Sequence, residues 1–177
     1  MIIFAPNIHT GGGFTLLQGL LHALRGDTNM VLFLDSRIRD KIEQIDPMIK
    51  IYWVRKSVVS RLQAEKQLRK ISNSTSHIIC FNGVPPLMKC QGSIWVYVQN
   101  RLLIDDISKY QFRRLVRLRI IYERLVFYKG RTTTARYLVQ TPTMAESLIH
   151  WLERRGVPAA RSKVSISPFF DFEAEET

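Results

Sequence analysis

Short apolar runs alternate along this chain with longer segments whose apolar residues recur at helical spacing. The runs lie at residues 2–5, 30–35, 50–54, 77–81, 93–98, 136–141 and 163–167. Helical spacing occurs between them, at residues 13–24, 36–46, 57–72 and 142–155. Strands that alternate with helices require right-handed crossovers, which leave the strands parallel and cover both faces of the sheet. The pattern predicts a Rossmann-like three-layer α/β/α sandwich with a mainly parallel sheet.

A glycine turn joins the first predicted strand to the first predicted helix. Gly11, Gly12 and Gly13 follow the strand, and Leu16 and Leu17 begin the apolar face of the helix. Glycine lets the backbone turn tightly beneath a bulky ligand, and the unpaired amides at a helix start attract anions. The turn is therefore either a phosphate-binding loop or a tight turn that binds nothing.

An acidic residue, Asp35, ends the second predicted strand. An acid at this place in a dinucleotide-binding protein holds the ribose, although three successive glycines are not the usual G-x-G-x-x-G pattern. A small nucleotide- or dinucleotide-binding Rossmann protein is thus one interpretation of the N-terminal region.

The carboxyl ends of parallel strands meet at one edge of a sheet, where ligands bind. Small and polar residues follow several predicted strands and are expected around one crevice there: Asn7, His9, Gly11, Gly12, Gly13, Asn82, Gly83, Gln99 and Asn100. An asparagine amide both donates and accepts hydrogen bonds, which suits hydroxyl-rich ligands. Asparagine and glycine also favour the turns that end strands, which is the alternative explanation.

Composition places the chain among globular proteins. Its 177 residues are close to one average domain, and 46% of them are apolar. No apolar run reaches the ~18–20 residues of a membrane-spanning helix, and the N-terminus does not resemble a signal peptide. Two cysteines, Cys80 and Cys90, show no metal-ligand spacing and suit a reducing compartment. A cytoplasmic protein is expected.

The formal net charge of +11 indicates an anionic partner, and much of the charge lies in one segment. Residues 101–131 hold nine Lys and Arg against three acids, with apolar and aromatic residues at helical spacing between them. This long predicted helix packs on the core with a solvated arginine face, lies on anionic lipid, or binds nucleic acid. No nucleic-acid-binding motif is present, so lipid is favoured over nucleic acid, with these predicted membrane-binding residues: Arg113, Arg114, Arg117 and Arg124.

Several stretches, in their order along the chain, resemble one known family. They are the opening strand with its glycine turn, YVQNR at 97–101, YLVQTPTM at 137–144 and KVSISPF at 163–169. Their order is similar to that in the N-terminal domain of the retaining GT-B glycosyltransferases of family four, over essentially the whole chain. The resemblance implies one half of a GT-B fold, with a domain at 1–168. A linker or tail at 169–177 would lead to a C-terminal domain.

In such an enzyme the N-terminal domain binds the acceptor, and the C-terminal domain binds the nucleotide sugar through a Glu-x7-Glu pair, which this chain lacks. The resemblance implies sugar transfer from a nucleotide-sugar donor to a saccharide or lipid-linked acceptor. Many members act at the cytoplasmic face of the membrane, and none of this requires a cofactor or a metal. The isolated chain, an excised domain or half of a split enzyme, is expected to be inactive.

The resemblance also implies roles by position. The glycines at 11–13 match the loop that approaches the donor diphosphate, and Asn82 and Gln99 are expected beside it as donor-phosphate or acceptor ligands. The family often has a histidine after the fifth strand, where this chain has Asn100 as a substitute hydrogen-bonding group in catalysis. His9 is the histidine expected at the crevice, as a candidate general acid or base.

Overall fold

Seven strands form one sheet in the computed structural model, which describes residues 1–42, 45–81, 83–105, 113–131 and 133–167. The strands are β1 Ile2–Ala5, β2 Val31–Asp35, β3 Lys50–Val54, β4 His77–Cys80, β5 Ser93–Tyr97, β6 Arg136–Val139 and β7 Val164–Ile166. Their order is β3-β2-β1-β4-β5-β6-β7, and every neighbouring pair is parallel. The predicted α/β class with a parallel sheet is confirmed.

Helices cover both faces of the sheet and make it the middle of three layers. They are α1 Gly11–Ala23, α2 Val58–Ile71, α3 Arg114–Gly130, α4 Pro142–Glu153 and the short α5 Ala160–Lys163. On one face α1 packs through Leu16 and Leu17. On the other face α2, α3 and α4 pack through Leu68, Phe127 and Leu148. One apolar core on each face holds the sandwich together.

Local capping explains where two helices begin. At the start of α2 the Ser57 hydroxyl accepts a hydrogen bond from the amide of Ser60 at 3.0 Å. At the start of α4 the Thr141 hydroxyl accepts one from the amide of Met144, with Pro142 in the first turn. Both arrangements satisfy amides that the helix itself leaves unpaired, so these helix starts follow from the local sequence.

The helix predicted at 36–46 is wrong in type and length. A 3-10 helix, Ser36–Lys41, stands there, and Ile42 returns to extended backbone. Asp35 caps this 3-10 helix, since its carboxylate accepts a hydrogen bond from the amide of Arg37. A 3-10 helix is used in short pieces, so the chain turns back towards β3 without a full α-helix.

The basic helix is also shorter than the segment predicted to form it. The Asn100 side chain accepts a hydrogen bond from the amide of Leu102 and caps a 3-10 turn, Arg101–Leu103. The helix α3 then begins at Arg114. Residues 106–112 lie outside the described residues, as do Asn82 and the tail predicted at 169–177.

The strand order reverses at β1, which is bonded to β2 on one side and to β4 on the other. The connections after β1 and β4 therefore run to opposite sides and leave a gap beyond the carboxyl ends of the strands. Ligands of open α/β sheets bind at such a point. This edge is where a functional site is to be sought.

Candidate functional site

An open cleft of about 620 Å³ lies at the carboxyl edge of the sheet, on the side of α2 and α3. Its described wall comes from the ends of β1 and β5, the start of α2, the β4–β5 connection and α3. Apolar side chains form much of this wall: Ile8, Val58, Leu62, Val84, Leu87 and Leu103. The charged side chains that line it are Lys56, Arg61, Arg119 and Glu123. The cleft thus offers both apolar surface and cations to a ligand.

Arg61 lines this cleft and is held on three sides. Its Nε donates to Glu65 Oε1 at 3.0 Å. Its Nη1 lies 3.0 Å from Asn7 Oδ1 in the amide orientation that satisfies both neighbours of Asn7. The guanidinium carbon stands 5.2 Å from the centre of the Phe4 ring, and 12% of the side chain is exposed. The guanidinium is therefore fixed in place before any ligand arrives.

The carboxylate of Glu65 ties α2 to the connection between β4 and β5. Its Oε2 accepts hydrogen bonds from the amides of Leu87 at 2.9 Å and Met88 at 3.2 Å, while Oε1 accepts from Arg61. Glu65 is fully buried, and a buried carboxylate is tolerated only with such partners. Because Leu87 also lines the cleft, this one carboxylate positions both the arginine and an adjoining part of the wall.

The glycine turn lies beside the cleft with its backbone accessible. Gly11 and Gly12 are exposed, and the three glycines form the first turn of α1 rather than a loop before it. Thr10 provides no side-chain cap. A Cβ on Gly13 would stand 3.1 Å from Gln99 Oε1, so Gln99 connects the turn to the cleft. The helix-start amides are thus open to an anion.

The strand-end amides of Asn7, Gln99 and Asn100 all lie in the cleft wall. Each also has a structural contact, since Gln99 Nε2 donates to the carbonyl of Phe81 at 3.3 Å and Asn100 caps the following turn. Gly83, which follows β4, is buried. The structure thus brings three of the predicted polar residues together, and the role of Asn82 stays a prediction because it lies outside the described residues.

His9 belongs to a separate cluster on the α1 side and is not among the described residues that line the cleft. Its Nε2 lies 2.9 Å from Nη1 of Arg37. The same arginine donates to both carboxylate oxygens of Asp35, from Nε at 2.8 Å and from Nη2 at 2.5 Å. Burial raises the pKa of Asp35, but the hydrogen bonds and the positive charge of Arg37 together lower this pKa by more. The pKa of Asp35 therefore lies below its usual value. Asp35 is fully buried in this pair and does not present its carboxylate to a ribose.

The outward side of α3 is apolar. Ile120 and Phe127 pack on the core. Large side chains elsewhere on the helix are exposed, namely Val116 and, at helical spacing on the outward side, these six: Leu115, Leu118, Ile121, Tyr122, Leu125 and Tyr128. We call these six residues the outer α3 face. Leu115 is 81% exposed and Leu118 is 62% exposed, and Tyr122 also lines the cleft. None of the described helices is long and apolar enough to cross a membrane.

The four predicted membrane-binding arginines divide into two groups. Arg113 and Arg114 are exposed at the start of α3, and Arg117 is half-buried. Arg124 instead donates through Nε to the carbonyl of Leu102 at 2.6 Å and is partly buried. Three of the arginines therefore flank the outer α3 face, and the fourth fastens α3 to the segment before it.

Sequence reasoning missed the charged residues of the cleft. Arg61 and Glu65 stand four residues apart on a polar helix, which is the spacing of an ordinary surface ion pair. Lys56 and Arg119 likewise appear in the sequence as solvated charges. No local pattern indicated that these residues meet at one cleft, because the β4–β5 connection that completes their surroundings lies far along the chain.

Across the part of the chain that the structure describes, no group of three or more His, Cys, Asp and Glu side chains is placed to hold a metal ion. A function must therefore be inferred from the cleft, the glycine turn and the outer α3 face. The chain matches no protein-family model, no curated protein and no solved structure.

Proposed function

We propose that this chain is the acceptor-binding half of a glycosyltransferase. In the complete enzyme, a sugar passes from a nucleotide-sugar donor to a saccharide or lipid-linked acceptor. The observation that carries the proposal is the open cleft beside an exposed glycine turn, at the edge where the strand order reverses. A second Rossmann-like domain facing this edge supplies the donor, and the chain by itself is expected to be inactive.

The glycine turn supports a role with the donor diphosphate. Apart from the adjoining backbone of the helix and the chain neighbours, no atom of the described residues lies within 4 Å of the Cβ positions of Gly11 and Gly12, so a bulky anion has room to approach. Backbone amides at a helix start bind phosphate oxygens without any side chain. The amides of Gln99 and Asn100 lie in the adjoining cleft wall, where they suit the hydroxyl groups of an acceptor.

The outer α3 face supports a position on an anionic membrane at its cytoplasmic side. Exposed aliphatic and aromatic side chains there stand beside Arg113, Arg114 and Arg117, a composition typical of helices that lie in the lipid interface. Each basic side chain near an anionic surface adds about 1 kcal/mol of binding. Tyr122 belongs to both this face and the cleft, which gives a lipid-linked acceptor a short path between them.

A dinucleotide-binding protein is the second candidate, because this strand order is the one typical of dinucleotide-binding sheets. The commitment of Asp35 to Arg37 weighs against it. Tight binding of NAD by the chain, with perturbation of Asp35, would replace the first proposal with the second.

Binding of uridine diphosphate and of NAD to the isotope-labelled chain tests the choice by NMR. The proposal expects weak binding of uridine diphosphate that shifts the amide resonances of Gly11, Gly12 and Gly13, since one wall of the site is supplied by the other domain. A Gly12→Leu variant fills the space above the turn and should abolish these shifts. Shifts confined to other regions would contradict the proposal.

Co-sedimentation with vesicles tests the membrane part. The chain should sediment with phosphatidylglycerol vesicles and not with phosphatidylcholine vesicles. Replacing Arg113, Arg114 and Arg117 by Glu should abolish sedimentation without unfolding the chain. The matched control carries the same three charge reversals on exposed positions of α2: Lys66, Arg69 and Lys70. Equal loss in both variants would mean that net charge, rather than the outer α3 face, drives binding.

A further inference from the structure

The cleft combines cations with apolar surface, which a purely hydroxyl-rich ligand does not need. Lys56, Arg61 and Arg119 line it, and Arg119 pairs with Glu123 at 2.7 Å. Counting Glu65 behind Arg61, three positive charges face two negative ones, so the group remains positive by one. These charged side chains therefore favour an anionic ligand that binds without breaking the ion pairs of Arg61 with Glu65 and of Arg119 with Glu123.

Arg61 retains hydrogen-bond donors that its neighbours do not use. Its Nε is taken by Glu65 and its Nη1 by Asn7, while its Nη2 has no hydrogen-bond partner among the described residues. The side chain is mostly buried, yet it lines the cleft. A guanidinium held in this way loses little conformational freedom when it binds an oxyanion.

We propose that the cleft recognises a phosphate ester whose organic part is apolar, and that Arg61 contacts the phosphate. The inference rests on the proposed function and specifies the acceptor. A phosphate has three strong acceptor oxygens, so that Arg61 and Lys56 bind it together, whereas a carboxylate has two. Leu62 and Leu87, which line the cleft, then contact the carbons next to the ester.

Four probes separate the contribution of the anionic group from that of the alkyl chain. They are octyl phosphate, octanoate, octyl glucoside and inorganic phosphate. Each is titrated into the isotope-labelled protein, and the probes that form micelles are kept below their critical micelle concentrations. Octyl phosphate should bind most tightly. Octanoate, whose carboxylate has only two acceptor oxygens, and inorganic phosphate, which has no alkyl chain, should each bind about tenfold more weakly. Octyl glucoside should bind more weakly still, since it carries no negative charge. The shifts should centre on the cleft amides, including that of Leu87.

Two variants assign the charge. Replacing Arg61 alone leaves Glu65 buried without its partner, so the test uses Arg61→Gln together with Glu65→Gln. This pair should weaken octyl phosphate by about tenfold and leave octyl glucoside unchanged. Lys56→Gln should weaken octyl phosphate about threefold, as expected for one exposed charge. Lys66→Gln, an exposed position on α2, is the matched control and should change nothing.

Equal affinity for octyl phosphate and octyl glucoside would overturn the inference, as would equal losses in Lys56→Gln and Lys66→Gln. Inorganic phosphate that binds as tightly as octyl phosphate would overturn the apolar part and identify free phosphate as the ligand. The proposed function fails separately. If neutral saccharides bind the cleft and octyl phosphate does not, the acceptor-binding function stands and this inference falls.

Discussion

Two arginine–carboxylate pairs at the carboxyl edge of the sheet differ in what they hold. Asp35 and Arg37, on the α1 side, are two residues apart, and the described hydrogen bonds of the Asp35 carboxylate all stay within one turn. Glu65 and Arg61, on the α2 side, also bind the amide of Leu87, which lies 22 residues further along the chain. Both carboxylates are fully buried, but Arg37 is 31% exposed and Arg61 is 12% exposed.

The difference teaches that a buried carboxylate shapes a site when its bonds reach beyond its own segment. The Asp35 carboxylate is bonded within its own turn, and Arg37 in turn contacts the His9 ring. The Glu65 carboxylate holds both an arginine that lines the cleft and the neighbouring loop at 87–88. Five variants test this comparison, from the buried pair that also holds a loop to a pair that is exposed at the surface.

Glu65→Ala should have the largest effect. It leaves Arg61 buried without a counter-charge and releases the amides of Leu87 and Met88, for a loss of about 3–5 kcal/mol in the free energy of unfolding. Urea denaturation measures this loss. A loss below about 1 kcal/mol, the size of an ordinary surface pair, would show that the carboxylate does not hold the loop.

Cys90 provides a second measurement of the same variant. It lies two residues after Met88, and burial raises the pKa of its thiol to about 11. In the unchanged protein a thiol reagent at pH 8 should therefore react slowly with it. Glu65→Ala should speed the reaction by releasing the loop and by removing a negative charge that also raises the pKa of this thiol. Cys80 on β4 is also buried and serves as the internal control, since it should stay unreactive in both.

Asp35→Asn should lower the free energy of unfolding by less, about 1–2 kcal/mol. The partly exposed Arg37 is solvated by water once the charge of its partner is lost. The pH dependence has a definite sign. Since the folded pKa of Asp35 lies below its ordinary value of 3.8, its contribution is complete above about pH 4 and is lost as the pH falls through the folded value. Urea midpoints measured between pH 2 and pH 6 should fall less steeply towards low pH in the variant than in the unchanged protein. An equal fall in both would contradict the role of Asp35 in this pH dependence.

Gly11→Ala and Gly12→Ala test the turn on the α1 side. Gly11 has φ of +67°, a conformation that disfavours any residue with a Cβ, so its replacement should cost about 1 kcal/mol. Gly12 has no such constraint and open space above it, and its replacement should stay within about 0.5 kcal/mol. Thermal unfolding of the two variants side by side gives the comparison. Equal losses would mean that the turn needs glycine throughout.

Glu146→Gln should have the smallest effect. Glu146 and Arg161 form a two-bond pair at 2.8 and 3.0 Å, but both are exposed at the surface. Solvent screens such pairs, so the urea midpoint should not change measurably. A clear shift would show that burial is not what separates the three pairs.

Much of the fold follows from local patterns. The apolar runs predicted the seven strands to within a residue or two at their ends, and the helical spacing at 57–72 and 142–155 predicted α2 and α4 about as closely. The helix at 36–46 was wrong because Asp35 and Arg37 close a turn that periodicity does not register. For α3, apolar residues occur on more than one side, so spacing did not decide which side would face the core.

The sequence by itself determined the layers, the parallel sheet and the place of the glycine turn, since each depends on neighbours along the chain. Tertiary structure alone decided that Arg61 lines a cleft and that His9 joins Arg37 on the other side of the strand reversal. It also decided that the outer α3 face meets solvent. These outcomes depend on contacts between segments far apart in the sequence, such as Glu65 with Leu87, and no local pattern contains them.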